Sequence, residues 1–194
     1  MQKRIKRSLN KLWFYIRETY IDKPVYTPQA ISLKVVPSSN YFKDPNRPIK
    51  LIVLHATGSS SLRSTVEWFK DKKSKVSAHY VIDRDGKVVQ MVGLDDIAWH
   101  AGDSEWEGQH GCNRFSLGIE LVNLNDGKQD YPREQVNACL AITLALSGYY
   151  GLGISNVVGH KDISPGRKSD PNGFSMDEFK KSLSFHKEKQ EACR

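Results

Sequence analysis

Leu51-Ile52-Val53-Leu54-His55-Ala56-Thr57-Gly58 and, far along the chain, Asn156-Val157-Val158-Gly159-His160-Lys161-Asp162-Ile163-Ser164-Pro165-Gly166-Arg167-Lys168-Ser169-Asp170-Pro171 each run an apolar stretch into a histidine. A short apolar run bounded by turn residues reads as a buried strand, so both histidines stand at strand ends. His160 opens a loop whose path is set by Pro165, Gly166 and Pro171, with an acid, Asp170, ten residues on. Two histidines at strand ends and a loop carboxylate offer three metal ligands and leave a fourth position open. That is the pattern of a catalytic zinc site; a structural site fills all four positions, often with thiolates, and no cysteine lies near either histidine.

Outward from these two stretches, strand and helix signals alternate. Leu62–Phe69 reads as a helix capped by a serine of Ser59–Ser61. Ala78–Asp83 and Lys87–Val92 read as strands joined by the turn Arg84-Asp85-Gly86, and Leu117–Val122 as a further strand. Pro132 opens a long helix to about Tyr149, with Gly151 and Gly153 after its end. Asn156–Gly159 is a short strand delivering His160, and Ser175-Met176-Asp177-Glu178 starts a final helix. The expected class is α/β, a central mixed β-sheet flanked by helices.

At 194 residues the chain fits one domain with an ordinary core, placed at 47–186. Ahead of it, Ile5, Leu9, Leu12, Trp13, Ile16 and Tyr20 recur at helical spacing among lysines and arginines, predicting a basic amphipathic helix within 1–23. Residues 24–46, with Pro24, Pro28, Pro37 and Pro45, read as an extended connector, and 187–194 as a tail. The first 23 residues hold seven basic and two acidic side chains, a net +5 of the chain's +7. The basicity therefore belongs to the arm, which suits an anionic membrane or wall polymer. The domain shows no aromatic-basic pattern, so nucleic acid is not an expected partner. Three scattered cysteines, Cys112, Cys139 and Cys193, form no disulfide framework. No apolar run reaches the ~20 residues of a membrane span or matches a secretory signal. Cytoplasmic synthesis is the expectation, with release to the wall by another route, as for a phage or prophage lysin, left open.

These motifs together resemble the type 2 N-acetylmuramoyl-L-alanine amidases, the zinc-dependent family related to peptidoglycan recognition proteins and small phage amidases. Five stretches match in the family's order: Ile52–Thr57, Val76–Gly86, Trp99-His100-Ala101-Gly102, Ser116–Leu121, and the loop from Gly159. The resemblance implies one zinc ion per chain on His55, His160 and Asp170, and a catalytic glutamate at Glu120 with a catalytic lysine at Lys168. It implies a substrate too, peptidoglycan or a muropeptide cut between N-acetylmuramic acid and L-alanine. Some phage relatives use a tyrosine just before His79, where this chain has Ala78, which favours Glu120. The alternative is a non-catalytic wall-binding module of the same fold, but such modules replace ligands that are all present here. A monomer is expected.

The residues themselves support these roles. Glu120 is an acid inside an otherwise apolar strand, and a buried carboxylate needs a cation, a bound water or a donor beside it. Amide hydrolysis needs such a group to move a proton from water to the leaving nitrogen. Lys168, two residues before Asp170, is placed to stabilise an oxyanion. His79 reads as a structural or outer residue, Trp99 and His100 as lining a substrate cleft, and Asp162 as holding its loop. Asn113 resembles a structural position of the family; the role of Arg167 stays open.

Overall fold

The structure, a computed structural model, describes residues 32–192; the basic helix expected over about residues 3–21 lies outside them. Among the described residues, ten strands and four helices follow in order: β1 Leu33–Val35, β2 Tyr41–Lys43, β3 Leu51–Ala56, α1 Leu62–Lys70, β4 Tyr80–Ile82, β5 Val88–Gln90, β6 Asp96–Ala98, β7 Glu105–Trp106, β8 Gln109–His110, β9 Ser116–Leu121, α2 Arg133–Tyr150, β10 Val157–Gly159, α3 His160–Ile163 and α4 Met176–Ala192. Six strands form one sheet in the order β1-β5-β4-β9-β3-β10. Only β4–β5 is antiparallel, across the expected Arg84-Asp85-Gly86 turn; the other pairs are parallel. The sheet is mixed and flanked by helices, as the sequence implied.

Alternation along β3 and β9 sorts the two faces of the sheet. Ile52, Leu54, Leu117, Ile119 and Leu121 pack on one face against Ala138, Ile142, Ala145 and Leu146 of α2 and Phe179 and Leu183 of α4. The long α2 starts after Pro132 and stops where Gly151 takes φ 67° and returns its N–H to the Ser147 carbonyl. On the other face, Val66 and Phe69 of α1 cover Val81, Val89 and Met91. The rest of that face lies under the 99–115 segment, where Ala101, Cys112 and Phe115 meet Leu51, Val53 and Val158. Ser61 caps α1, its hydroxyl accepting from the Ser64 N–H.

Two stretches differ from the sequence reading. Leu33–Val35, placed in a connector, is an edge strand paired with β5, and Tyr41–Lys43 pairs antiparallel with β6. The residues read as a tail from 187 continue α4 as far as Ala192. The central feature for chemistry is simpler. Strands β9, β3 and β10 lie side by side and parallel, so their C-terminal ends share one edge, the edge at which open α/β sheets hold ligands.

Candidate active site

His55 is the penultimate residue of β3 and Glu120 the penultimate residue of β9, and the two are register partners. Directly paired residues of neighbouring strands point to the same face, here the one opposite α2 and α4. On the other side of β3, Gly159 pairs with Leu54, so His160 follows one residue beyond the strand end. It begins the short turn α3 rather than an open loop. Asp162 holds that turn, its Oδ2 accepting the Gly159 N–H at 2.7 Å, and is turned away from metal-binding duty. Asp170 is tied back to the same turn, its carbonyl accepting the Lys161 N–H at 2.9 Å.

The structure thereby brings His55, His160 and Asp170 together. Their ligand atoms lie within 4.8 Å of one another, and all three residues are buried. His55 Nδ1 is 2.9 Å from His160 Nδ1, and Asp170 Oδ2 is 3.0 Å from His160 Nδ1 and 3.3 Å from His55 Nδ1. The outer nitrogens fix which atoms face inward. His160 Nε2 lies 3.0 Å from the Ala101 carbonyl, which can only accept, so that nitrogen carries the proton and Nδ1 turns a lone pair to the centre. His55 Nε2 lies 3.0 Å from His100 Nδ1, and His100 Nε2 lies 3.2 Å from the Ser116 hydroxyl, whose own proton goes to the Cys112 carbonyl. Read outward, each imidazole passes its proton away from the centre. Three acceptors then converge on one point, an arrangement that demands a proton or a cation there. Ligands backed by outer hydrogen bonds of this kind are the usual build of a metal site, and the donor set fits zinc.

Burial, with the Lys168 charge adding to it, pushes His55 down to about 4 against the opposing pull of Asp170, so its imidazole is neutral and able to ligate. Burial acts to raise the Asp170 carboxyl, but the adjoining imidazoles of His160 and His55 outweigh it and hold the group below the usual carboxylate range. Glu120 moves the other way. Burial first, and then the Asp170 charge, push it up to about 8, with Lys168 partly offsetting the rise. Its Oε2 is buried without a hydrogen-bond partner. Lys168 is exposed on the 164–170 loop, close enough for its ammonium to act on both Glu120 and His55.

His79 is fully buried and accepts the Gly118 N–H on Nδ1 at 3.0 Å, outside the cluster. Trp99 packs on the exposed Phe42, with ring centroids 5.0 Å apart. His100, expected to line a cleft, instead sits buried behind His55. The reason is Gly118. A Cβ built there would lie 2.5 Å from the His100 ring, so only glycine leaves the slot the ring occupies. A glycine inside an otherwise apolar strand signals such a close approach and was the available clue. Arg167 bonds the Ala101 carbonyl at 2.8 Å and the Ser164 hydroxyl at 2.7 Å, which gives it a role in holding the loop. Gly118→Ala is expected to displace His100 and weaken metal binding ~10–100-fold, the usual cost of losing an outer partner. A chelator-competition titration on the folded variant checks this.

Comparison with known proteins shows the family to which the chain belongs. Residues 45–173 match the family model described as N-acetylmuramoyl-L-alanine amidase. The chain belongs to that family. Over 117 residues it is 42% identical to the 1,6-anhydro-N-acetylmuramyl-L-alanine amidase AmpD of Salmonella typhimurium, covering 59% of this chain and 62% of the relative. To the N-acetylmuramoyl-L-alanine amidase AmiD of Escherichia coli it is 34% identical over 137 residues, covering 63% of this chain and 49% of that protein. The chain thus spans about three fifths or less of the length of these curated relatives. A crystal structure of a selenomethionine AmpD derivative superposes with a TM-score of 0.70 at 33% identity, covering 78% of this chain and 94% of that one. The structure of E. coli AmiD with anhydro-N-acetylmuramic acid-L-Ala-D-gamma-Glu-L-Lys matches with a TM-score of 0.63 at 30% identity, over 69% of this chain and 56% of that one. Both superpositions show that this chain shares its fold with those two structures.

Proposed function

We propose that this chain is a zinc-dependent N-acetylmuramoyl-L-alanine amidase acting on muropeptides, with 1,6-anhydro-muramyl peptides as its preferred class. The observation that carries the chemistry is the pairing of His55 with Glu120 across β3 and β9, which sets an unpartnered carboxylate beside a three-acceptor cluster. The preference for anhydro substrates is supported by what the similar AmpD proteins are named for and by the anhydro peptide bound to AmiD.

His55, His160 and Asp170 would hold the ion. A zinc ion, when bound, polarises the scissile carbonyl and lowers the pKa of water. Glu120 takes a proton from the attacking water, whose oxygen bonds to the lactyl carbonyl carbon. A carboxyl whose proton affinity is raised by burial then hands that proton to the alanine nitrogen as the C–N bond breaks. The products are the muramyl carboxylate and a peptide with a free amine. The Lys168 ammonium offsets the negative charge that develops on the carbonyl oxygen, a contribution often worth ~3 kcal/mol or more.

Mass spectrometry of products from the zinc-loaded protein tests the reading, with soluble anhydro-muropeptide and intact sacculi as parallel substrates. The expected result is separation of anhydro-N-acetylmuramic acid from an intact peptide that begins with L-alanine, faster from the soluble substrate. Cleavage at a peptide bond or within the sugar, or no cleavage of either substrate, would overturn it.

A further inference from the structure

The outer partners of the two imidazoles come from adjacent residues. The His100 side chain meets His55 Nε2, and the Ala101 carbonyl meets His160 Nε2. Both residues belong to the short segment Trp99–Gly102, so whatever fixes that segment fixes both rings together. Ser77 accepts the Trp99 N–H and Arg167 donates to the Ala101 carbonyl, but one side chain holds both residues that meet the rings. Asn113 Oδ1 lies 3.0 Å from the His100 N–H and 2.8 Å from the Ala101 N–H. Two backbone donors face one atom, so that atom must be the amide oxygen, with the NH₂ turned away. Asn113 is itself anchored in the turn Cys112–Arg114 that leads into β9. Its carbonyl accepts from Arg47 Nη1 at 3.1 Å, and the same Nη1 reaches the Ser116 carbonyl at 2.8 Å. Arg47 is buried and therefore a fixed anchor rather than a mobile surface cation.

We propose that Asn113 is a positioning residue for both imidazoles of the cluster. It touches neither ring and no ligand atom. By pinning two consecutive N–H groups it sets where the His100 ring and the Ala101 carbonyl stand, and these two groups keep the protons of His55 and His160 on Nε2. Without that bracket, either ring can place its proton on Nδ1 and withdraw a lone pair from the centre. The role as metal-site support rests on the zinc reading of His55, His160 and Asp170; the control of the tautomers does not.

The variants are Asn113→Ala, which removes the acceptor, and Asn113→Asp, which keeps an oxygen able to accept from both N–H groups. Nitrogen-15 NMR of the imidazoles in metal-free protein at pH 8 reports which nitrogens carry protons. Competition with a chromogenic chelator reports zinc affinity. The wild type and Asn113→Asp are expected to hold protons on Nε2 of both His55 and His160. Asn113→Ala should show Nδ1-protonated, Nε2-free forms at both residues and a zinc dissociation constant ~10–100-fold higher, with Asn113→Asp within a few-fold of wild type. A merely structural asparagine would lower the melting temperature of Asn113→Ala while leaving the Nε2 protons and the zinc affinity of the folded protein unchanged; that result would overturn the proposal. If Asn113→Ala does not fold, Asn113→Ser, whose hydroxyl is too short to serve both donors, is read by the same two measurements with the same expected shifts. A wild type that binds no zinc while the tautomer shift still occurs would remove the metal reading and support the bracket.

Discussion

Glu120→Gln is expected to lower amide hydrolysis by a factor of ~10²–10⁴, the range for a lost acid–base group, while zinc stays bound. Glutamine keeps the size and one acceptor oxygen but can neither take nor return a proton. The same substitution should stabilise the metal-free protein. Glu120 rises from an ordinary 4.5 to about 8 in the fold because its charged form is buried near Asp170. A group whose folded pKa is raised has its full favourable contribution below the unfolded pKa and loses it as pH climbs through the folded value. The metal-free wild type should therefore lose stability between about pH 4.5 and about pH 8, and the glutamine variant should not. Melting curves of both proteins at pH 5, 7 and 9 check this. The variant should match wild type at pH 5 and melt several degrees higher at pH 9. A gap that does not change with pH, or activity near wild type in the folded variant, would place the proton carrier elsewhere.

The His55→Ala, His160→Ala double variant is expected to lose bound zinc and activity together. Wild-type protein should contain one ion per chain by metal analysis, and the double variant close to none, since Asp170 alone leaves one ligand of three. Stability gives a second reading. Binding to the folded state alone adds ~4 kcal/mol when free metal is a thousandfold above the dissociation constant. Adding chelator should accordingly lower the melting temperature of the wild type by many degrees and leave that of the double variant unmoved. Full zinc occupancy in the double variant would sink the ligand assignment. A chelator-insensitive wild type that still hydrolyses substrate would sink the metal requirement.

Much of this site was legible because its makers are strands with strong signals. The run Leu51–Leu54 and the Ser116–Leu121 segment are apolar enough to be buried, and a histidine or glutamate inside such a strand stands out. The distance between His55 and Asp170 in sequence hides nothing once His55 and His160 are placed at strand ends and Asp170 in the loop that His160 opens. The outer support was illegible for the opposite reason. His100, Asn113 and Ser116 act through one or two hydrogen bonds each, to one another and to backbone, and such bonds follow no period. Only Gly118 announced the slot that receives His100. The short strands β1 and β2 were missed because they fall in a stretch punctuated by Pro28, Pro37 and Pro45 that reads as a connector, and each is defined by a remote partner: Leu33 by Val88, Tyr41 by Ala98.

The strand order β9-β3-β10 also sets when the buried cluster can assemble. His55 lies on the strand between two neighbours that leave the ribosome later, one at residues 116–121 and the other at 157–159. Until the second arrives, β3 is an exposed sheet edge, a liability in any growing chain. Closing loops of this length is slow compared with forming a hairpin such as β4–β5. The earliest-made half of the sheet therefore waits on the latest-made strand, and a chain interrupted before Asp170 lacks one of the three acceptors of the buried cluster. During synthesis, the proposed hydrolytic site would therefore be assembled only at near-completion of the domain.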